Sequence, residues 1–423
     1  MKKIIVLIIL LLSEASLAQS VGWTDLMETN ITVGNNDYDI FTNRYGNHII
    51  VKETSALKYY KMDVEGNIES STDLETSTTV VSPSISGDAT SLYVVYRKGT
   101  EDKIRTQYSN NGGVSWSYIS DLNLSGTPSS IECVFSKNKL HVTFIVGTTV
   151  YFNFYDINIP GWLTQSISVS ETFSASNTRI CVWNAGSNNL VYFTFNVGSS
   201  MKWRKYVVGG SMSLINNIIA SGGGPNIGTG VDDTYIYSFQ NQGPNNNIFT
   251  MYVRRIEDNW YLGSGNFNNN TNVGNIFSTI TASNIPYTAA WSTVSGYENS
   301  IVRMGFNGST SLVYDLIYSE TGLEPVHIVN LSSVANDVHV VWQDNFSDGN
   351  LRYKYYDDIP LVPENLDVEI YTSGNNNYPK LKWDLNIEPD VYLYENSIDI
   401  YRRISIRGGP WSSWAHLDYA DGN

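Results

Sequence analysis

Leu92-Tyr93-Val94-Val95-Tyr96, then Ile104-Arg105-Thr106-Gln107-Tyr108, then the turn Ser109-Asn110-Asn111-Gly112-Gly113-Val114-Ser115-Trp116, form the stretch that decides how the 423-residue chain reads. The first segment is continuously apolar and rich in β-branched and aromatic residues, which suits a strand covered on both faces. The second alternates polar and apolar side chains with period two, as a strand packed between two sheets does. The Asn-Asn-Gly-Gly run supplies residues that accept positive φ in a tight turn.

The same pair of strands recurs along the chain. The apolar one returns as Asn47-His48-Ile49-Ile50-Val51, Leu140-His141-Val142-Thr143-Phe144, Leu190-Val191-Tyr192-Phe193-Thr194 and Val338-His339-Val340-Val341-Trp342, with looser copies at Tyr235-Ile236-Tyr237 and Thr288-Ala289-Ala290-Trp291. The alternating partner follows each, for example Leu57-Lys58-Tyr59-Tyr60, Val150-Tyr151-Phe152-Asn153-Phe154 and Leu351-Arg352-Tyr353-Lys354-Tyr355. A repeat of about 45 to 55 residues is the length of one four-stranded blade. The fold class is therefore all-β, a β-propeller of seven blades, with six as the alternative because the sixth repeat is the least regular.

Outer strands open on tryptophan at Trp116, Trp162 and Trp260, whereas the last repeat ends at Tyr356-Asp357-Asp358 and runs into Pro360. Gly22-Trp23-Thr24-Asp25-Leu26 resembles those Trp-led strands and is expected to complete the last blade, since an open ring would leave strand edges unpaired.

The Ser109–Trp116 turn resembles the Asp-box, or bacterial neuraminidase repeat, of sialidase-like propellers. The resemblance implies a structural hairpin in which Ser109, Asn111, Gly113 and Trp116 take the family positions, with Asn111 standing where the family has Asp. It places the hairpin away from the substrate face. A working sialidase also needs an early Phe/Tyr-Arg-x-Pro motif, and the nearest approach, Tyr96-Arg97-Lys98-Gly99, lacks the proline. After Pro360 the pattern changes to Pro363-Glu364-Asn365-Leu366, Leu381-Lys382-Trp383 and Ile398-Asp399-Ile400-Tyr401, which resembles the first half of a fibronectin type III sandwich. The expected division is a signal peptide over 1–18, a propeller over 19–359 and a partial fibronectin-like domain over 360–423. A full sandwich needs about 100 residues, so the natural protein is expected to continue. The resemblance further implies a secreted or surface protein of bacteria.

Lys2 and Lys3, the apolar run Ile4 to Leu12 and the exit Ser16-Leu17-Ala18 form the three parts of a secretory signal. No later stretch approaches the roughly 18 consecutive apolar residues of a membrane helix. The net charge of −15 becomes one unit more negative once Lys2, Lys3 and Glu14 are removed. That balance, without a basic cluster, argues against nucleic acid and anionic membrane as partners.

The chemistry-bearing residues are few. His48, His141 and His339 occupy one position of the repeated strand, so blade rotation keeps them apart and a core role is expected. Cys133 and Cys181 lie in consecutive blades, as buried thiols or as a disulfide, which would require Cα atoms within about 7 Å. Arg105, Arg204, Arg254 and Arg352 fall on the polar side of alternating strands, where salt-bridging is the default. The loop Asp344-Asn345-Phe346-Ser347-Asp348 offers oxygen ligands for calcium, but its spacing matches no calcium motif, and neither metal nor cofactor is expected. Tyr96, Phe144 and Trp342 are the aromatic candidates for stacking on a sugar, with Arg97 and Asp344 beside them. The expected function is a secreted or cell-surface binding module for an extracellular glycan or protein. The alternative is a glycoside hydrolase at the propeller funnel. Oligomeric state is open.

Overall fold

The computed structural model describes residues 5–11, 22–33, 37–63, 66–169, 175–185, 188–207, 217–221, 223–232, 234–242, 248–268, 277–280, 286–292, 300–306, 312–319, 329–334, 337–343, 349–357, 364–373, 376–384, 398–405 and 415–420. Among them there is no helix, and none long and apolar enough to cross a membrane. Residues 22–357 build seven antiparallel sheets, each running from an innermost to an outermost strand.

Blade 1 comprises Tyr38–Asn43, Gly46–Lys52, Leu57–Met62 and Ile68–Glu75. Blade 2 comprises Val80–Gly87, Leu92–Lys98, Lys103–Ser109 and Ser117–Asn123. Blade 3 comprises Pro128–Ser136, Lys139–Val146, Thr149–Asp156 and a split outer strand, Gly161–Trp162 and Ile167–Ser168. Blades 4, 5 and 6 begin at Ala175–Ala185, Gly223–Val231 and Ser278–Ile280. Blade 7 joins Val329–Val334, Asp337–Gln343 and Asn350–Asp357 to the start of the chain. The sixth repeat forms a full sheet of four strands, so the count is seven.

Closure follows the expected route and goes further along the chain. Gly22 and Trp23 pair with Asp357 and Tyr356, Thr24 N–H donates to Tyr355 O at 3.0 Å, and Met27–Thr32 continues the outer strand down to Asn350. Trp23 packs edge-on against Tyr356 at 5.4 Å. Each innermost strand contacts the next around the whole ring.

The repeated apolar strand is the second of each blade, and it is buried along its length in blade 1. Outer strands such as Ile68–Glu75 are largely exposed. Burying one such aliphatic or aromatic side chain contributes roughly 1.5–3 kcal/mol, so the second and third strands carry most of the stability. The innermost strands of neighbouring blades pair with no common ladder, and their facing backbone edges need other partners. Short polar side chains supply them. Ser332 accepts from Thr42 N–H at 2.9 Å, Asp39 from Ile85 N–H at 2.9 Å, Ser84 from Cys133 N–H at 3.2 Å and Ser130 from Thr178 N–H at 3.1 Å. This belt stitches blades 7, 1, 2, 3 and 4 in order around the axis.

Outside the ring, Glu364–Ser373 and Asn376–Asp384 form a hairpin. The apolar run Ile5–Leu11 lies along Ile398–Ser405, whose other edge holds Ala415–Ala420.

Candidate functional site

The strand order defines two faces. One carries the connections between blades and the turns from second to third strand. The other carries the turns from first to second and from third to fourth strand. The Ser109–Trp116 turn belongs to the latter. Ser109 Oγ accepts from Gly113 N–H at 2.9 Å, and Asn111 Oδ1 accepts from Ser115 N–H at 2.9 Å. Gly113 has φ +90° and lies against the Tyr59 phenol of blade 1. Trp116 packs edge-on against the same ring at 4.8 Å and donates its indole N–H to Gly113 O at 3.1 Å. The turn thus clamps blade 2 onto blade 1.

His48 and His339 lie at this end of their strands, each with Nδ1 2.7 Å from a tyrosine hydroxyl, Tyr59 and Tyr353 respectively. His141 stacks on Phe152 at 5.9 Å. Burial holds all three imidazoles down to about 3, so they are neutral core groups. No group of three metal-ligating residues forms among the described residues.

The opposite face holds a groove between blades 2 and 3. Its origin is the split outer strand of blade 3. Gly161–Trp162 pairs with Tyr155 and Asp156, and Ile167–Ser168 pairs with Tyr151 and Phe152. Between them Leu163 N–H is shared between Phe154 O and Asn153 Oδ1, each at 3.1 Å, and the Asn153 amide donates to Ser166 Oγ at 3.0 Å. Thr164 and Gln165 lie exposed between the two pieces of the strand. Facing them, Leu124 N–H is held by Asp102 O at 2.9 Å, which fixes the passage Asn123-Leu124-Ser125 from blade 2 to blade 3.

The cavity between these segments is about 300 Å³. Phe144, Val146, Tyr151 and Leu124 give its apolar part, with the Phe144 and Tyr151 rings stacked at 5.8 Å. Asn123, Ser125, Thr164, Gln165 and Ser166 give amides and hydroxyls, and no Asp, Glu, Lys, Arg or His lines it. An apolar floor with a neutral hydrogen-bonding rim matches a small polyol, whose C–H face needs a ring and whose hydroxyls need donors and acceptors together.

The same face carries an acidic group in an unusual setting. Asp37 leads into blade 1 with its backbone O bound to Lys52 N–H at 2.8 Å. Burial pushes its carboxyl up to about 6, with the Lys52 and Arg97 charges partly opposing the rise. Arg97 donates to Pro128 O at 2.7 Å and so spans from blade 2 toward blade 3.

The residues singled out from sequence scatter among these settings. Phe144 lies beneath the groove, 0% exposed and stacked under Tyr151, so it backs the site without meeting solvent. Tyr96 and Trp342 are also fully buried. Tyr96 belongs to the core between blades 1 and 2, its hydroxyl 3.4 Å from Gln107 Nε2. Trp342 packs against Tyr318 at 5.7 Å. Neither presents a ring to solvent, because the end of the second strand is still covered by the adjacent blade. Arg97 stands beside Asp37. Asp344 and its loop lie outside the described residues. Cys133 and Cys181 are free thiols that turn opposite ways. Cys133 Sγ meets Ser84 Oγ of blade 2 at 3.5 Å, and Cys181 Sγ meets Thr229 Oγ1 of blade 5 at 4.0 Å, so the disulfide alternative has no geometry here. Arg105 pairs with Glu101 and Glu75, and Arg352 with Glu28 at 2.9 Å.

Sequence reading missed Asp37, Tyr151 and the Asn123–Ser125 and Thr164–Ser166 rims. The one available signal was the polar Thr164-Gln165-Ser166 inside a Trp-led strand, where a ladder strand would alternate.

No protein-family model matches the sequence, and no curated protein does. Among solved structures, YCF48 bound to D1 peptide is similar over 83% of this chain and 100% of that one, at 12% identity and TM-score 0.51. The SapL1 lectin in complex with alpha methyl fucoside covers 69% of this chain and 99% of its own at 12% identity and TM-score 0.46. A Trypanosoma rangeli sialidase covers 75% of this chain at 8% identity and TM-score 0.44, and the chain spans 58% of that sialidase's length. At these identities the likeness is one of fold, and the fold is a seven-bladed all-β propeller.

Proposed function

We propose that the chain is an exported or surface-held carbohydrate-binding propeller that seats a neutral sugar in the groove between blades 2 and 3. The observation that carries this reading is the groove's lining: stacked Phe144 and Tyr151 behind an uncharged rim of amides and hydroxyls. The acidic surface of the chain, −15 overall, disfavours anionic sugars at a site without a cation to receive them. In this reading the Ser109–Trp116 turn acts as an Asp-box, bracing the scaffold on the far face. In the same reading the leader directs export, and the fibronectin-like tail acts as a spacer. No cofactor or metal enters it.

The second reading is glycoside hydrolysis, and Asp37 is the observation that favours it. A carboxyl with its pKa near 6, flanked by Lys52 and Arg97, is suited to general acid–base work near neutral pH. One experiment separates the two: the full chain on an array of neutral and sialylated glycans, with a parallel panel of fluorogenic glycosides. Retention of neutral glycans without turnover supports binding. Turnover that disappears in Asp37→Asn overturns binding in favour of hydrolysis, and retention of sialylated glycans alone refutes the neutral-sugar reading.

A further inference from the structure

The third Trp-led strand behaves differently from the other two. Trp116 folds onto Tyr59, and Trp162 lies edge-on against Tyr155 at 5.5 Å. Trp260, by contrast, is 63% exposed, followed by Tyr261 at 44% and Leu262 at 38%, and among the described residues no ring stacks on its indole.

The turn places a different residue against the preceding blade. Five residues, Ile256 to Trp260, join Lys-free strands ending at Arg255 and starting at Tyr261, against seven between Ser109 and Ser117 in blade 2. In blade 2 the tryptophan lies back on the preceding blade. Asn259 takes that contact instead, at φ +57°, with its Oδ1 accepting the Trp203 indole N–H of blade 4 at 2.9 Å. The rest of the turn is tied down. Asp258 Oδ1 accepts from Trp260 N–H at 3.0 Å, Arg255 clasps the Asp258 carboxylate at 2.9 and 2.5 Å, and Arg254 donates to Asn259 O at 2.9 Å while its guanidinium backs the Tyr261 ring at 5.4 Å.

Two exposed aromatics on a fixed turn, bordered by an exposed Arg–Asp pair and by Tyr261 and Ser264 hydroxyls 2.7 Å apart, combine ring faces with hydrogen-bonding groups. A pyranose ring has the same two-sided character, with C–H on one face and hydroxyls on its edge. Fixed rings lose little freedom on binding, which favours them as anchors. We propose that Trp260 and Tyr261 form a second carbohydrate site on blade 5, taking an internal pyranose unit of a neutral polysaccharide whose chain crosses the open edge of the blade. The proposal rests on the carbohydrate reading above but not on the groove.

Affinity gel electrophoresis of the full chain in galactomannan, xyloglucan and mixed-linkage β-glucan tests it, with Trp260→Ala, Tyr261→Ala and the groove variant Gln165→Ala run alongside. The exposure of Trp260 makes Trp260→Ala a mild change for folding, and thermal melting checks this. At least one polysaccharide should retard the parent chain, and Trp260→Ala should weaken that retardation about 10- to 30-fold, the loss typical of an aromatic anchor. Full retardation of Trp260→Ala would overturn the proposal, leaving the groove reading intact if Gln165→Ala weakens it. Failure of every polysaccharide to retard the parent chain would overturn the blade 5 site and leave the groove to be judged by the glycan array.

Discussion

Replacing Gly113 by alanine tests the clamp between blades 1 and 2. A Cβ at this position would sit 2.0 Å from the Tyr59 hydroxyl and 2.4 Å from its ring carbon, at φ +90°. Adopting that backbone with a side chain costs roughly 1–2 kcal/mol. Relieving the overlap moves Tyr59, and forcing extra volume into a packed contact costs about 1–3 kcal/mol more. Displacing the hydroxyl also leaves His48 Nδ1 without its 2.7 Å partner, a further loss on the order of 1 kcal/mol. The total is roughly 3–6 kcal/mol, a large part of a domain's usual stability of about 5–15 kcal/mol. Gly112 is the internal control, since it too has positive φ, +65°, but a Cβ there meets nothing within 4 Å. Gly112→Ala should therefore cost only the backbone share, roughly 1–2 kcal/mol. Urea titration followed by tryptophan fluorescence, with the slope compared between variants, measures both. Equal losses for the two glycines would refute the seating of the turn on Tyr59.

Other outcomes follow from the buried titratable groups and the thiols. The three imidazoles are held at about 3 in the fold but protonate near 6.5 when unfolded. The unfolded chain binds more protons between those values, so they withdraw stability as pH falls from 6.5 toward 3, each by about 2 kcal/mol at pH 5. His141→Phe should flatten the urea midpoint against pH in that window. Burial raises Glu132 to about 7 beside Arg179. Its contribution therefore runs the other way, with stability lost as pH rises from about 4.5 to 7, and this appears as a shallower acid limb than the histidines alone give. Asp37→Asn should stabilise the fold above pH 6 by about 1–3 kcal/mol, by roughly half that at about pH 5, and leave it little changed below about pH 4, read by thermal melting. Burial raises both thiols, Cys181 to about 12, so a thiol reagent at pH 8 should label neither cysteine in the fold and both in urea.

The repeats were legible because blade periodicity is written by burial: an apolar second strand and an alternating third strand at fixed spacing leave little else to build. The closing strand was legible for the same reason, as Trp23 copies the tryptophans that open other outer strands. The site was not. Tyr96 and Trp342 look like platform aromatics in sequence, yet the neighbouring blade covers them, and sequence does not say which end of a strand a second sheet reaches. The groove arises where the outer strand of blade 3 breaks at Thr164 and Gln165, with the Asn153 side chain tying the two pieces, a local event without a motif. Asp37 draws its raised pKa from burial at the blade edge, partly opposed by Lys52 and Arg97 on other strands, and neither is visible from its local sequence. Trp260 shares the pattern of Trp116, but in its turn Asn259 takes the contact with the preceding blade, so the indole stands out.

The most direct test of the central claim is the dissociation constant of the best neutral sugar on the array, measured by calorimetry for the parent chain and for Thr164→Ala/Gln165→Ala. Both side chains are exposed on the groove rim, so the fold is expected to melt at the same temperature. A weakening of about tenfold or more would agree with a neutral-sugar site between blades 2 and 3, about 1.4 kcal/mol from the lost rim hydrogen bonds. An unchanged constant with the fold intact would contradict it.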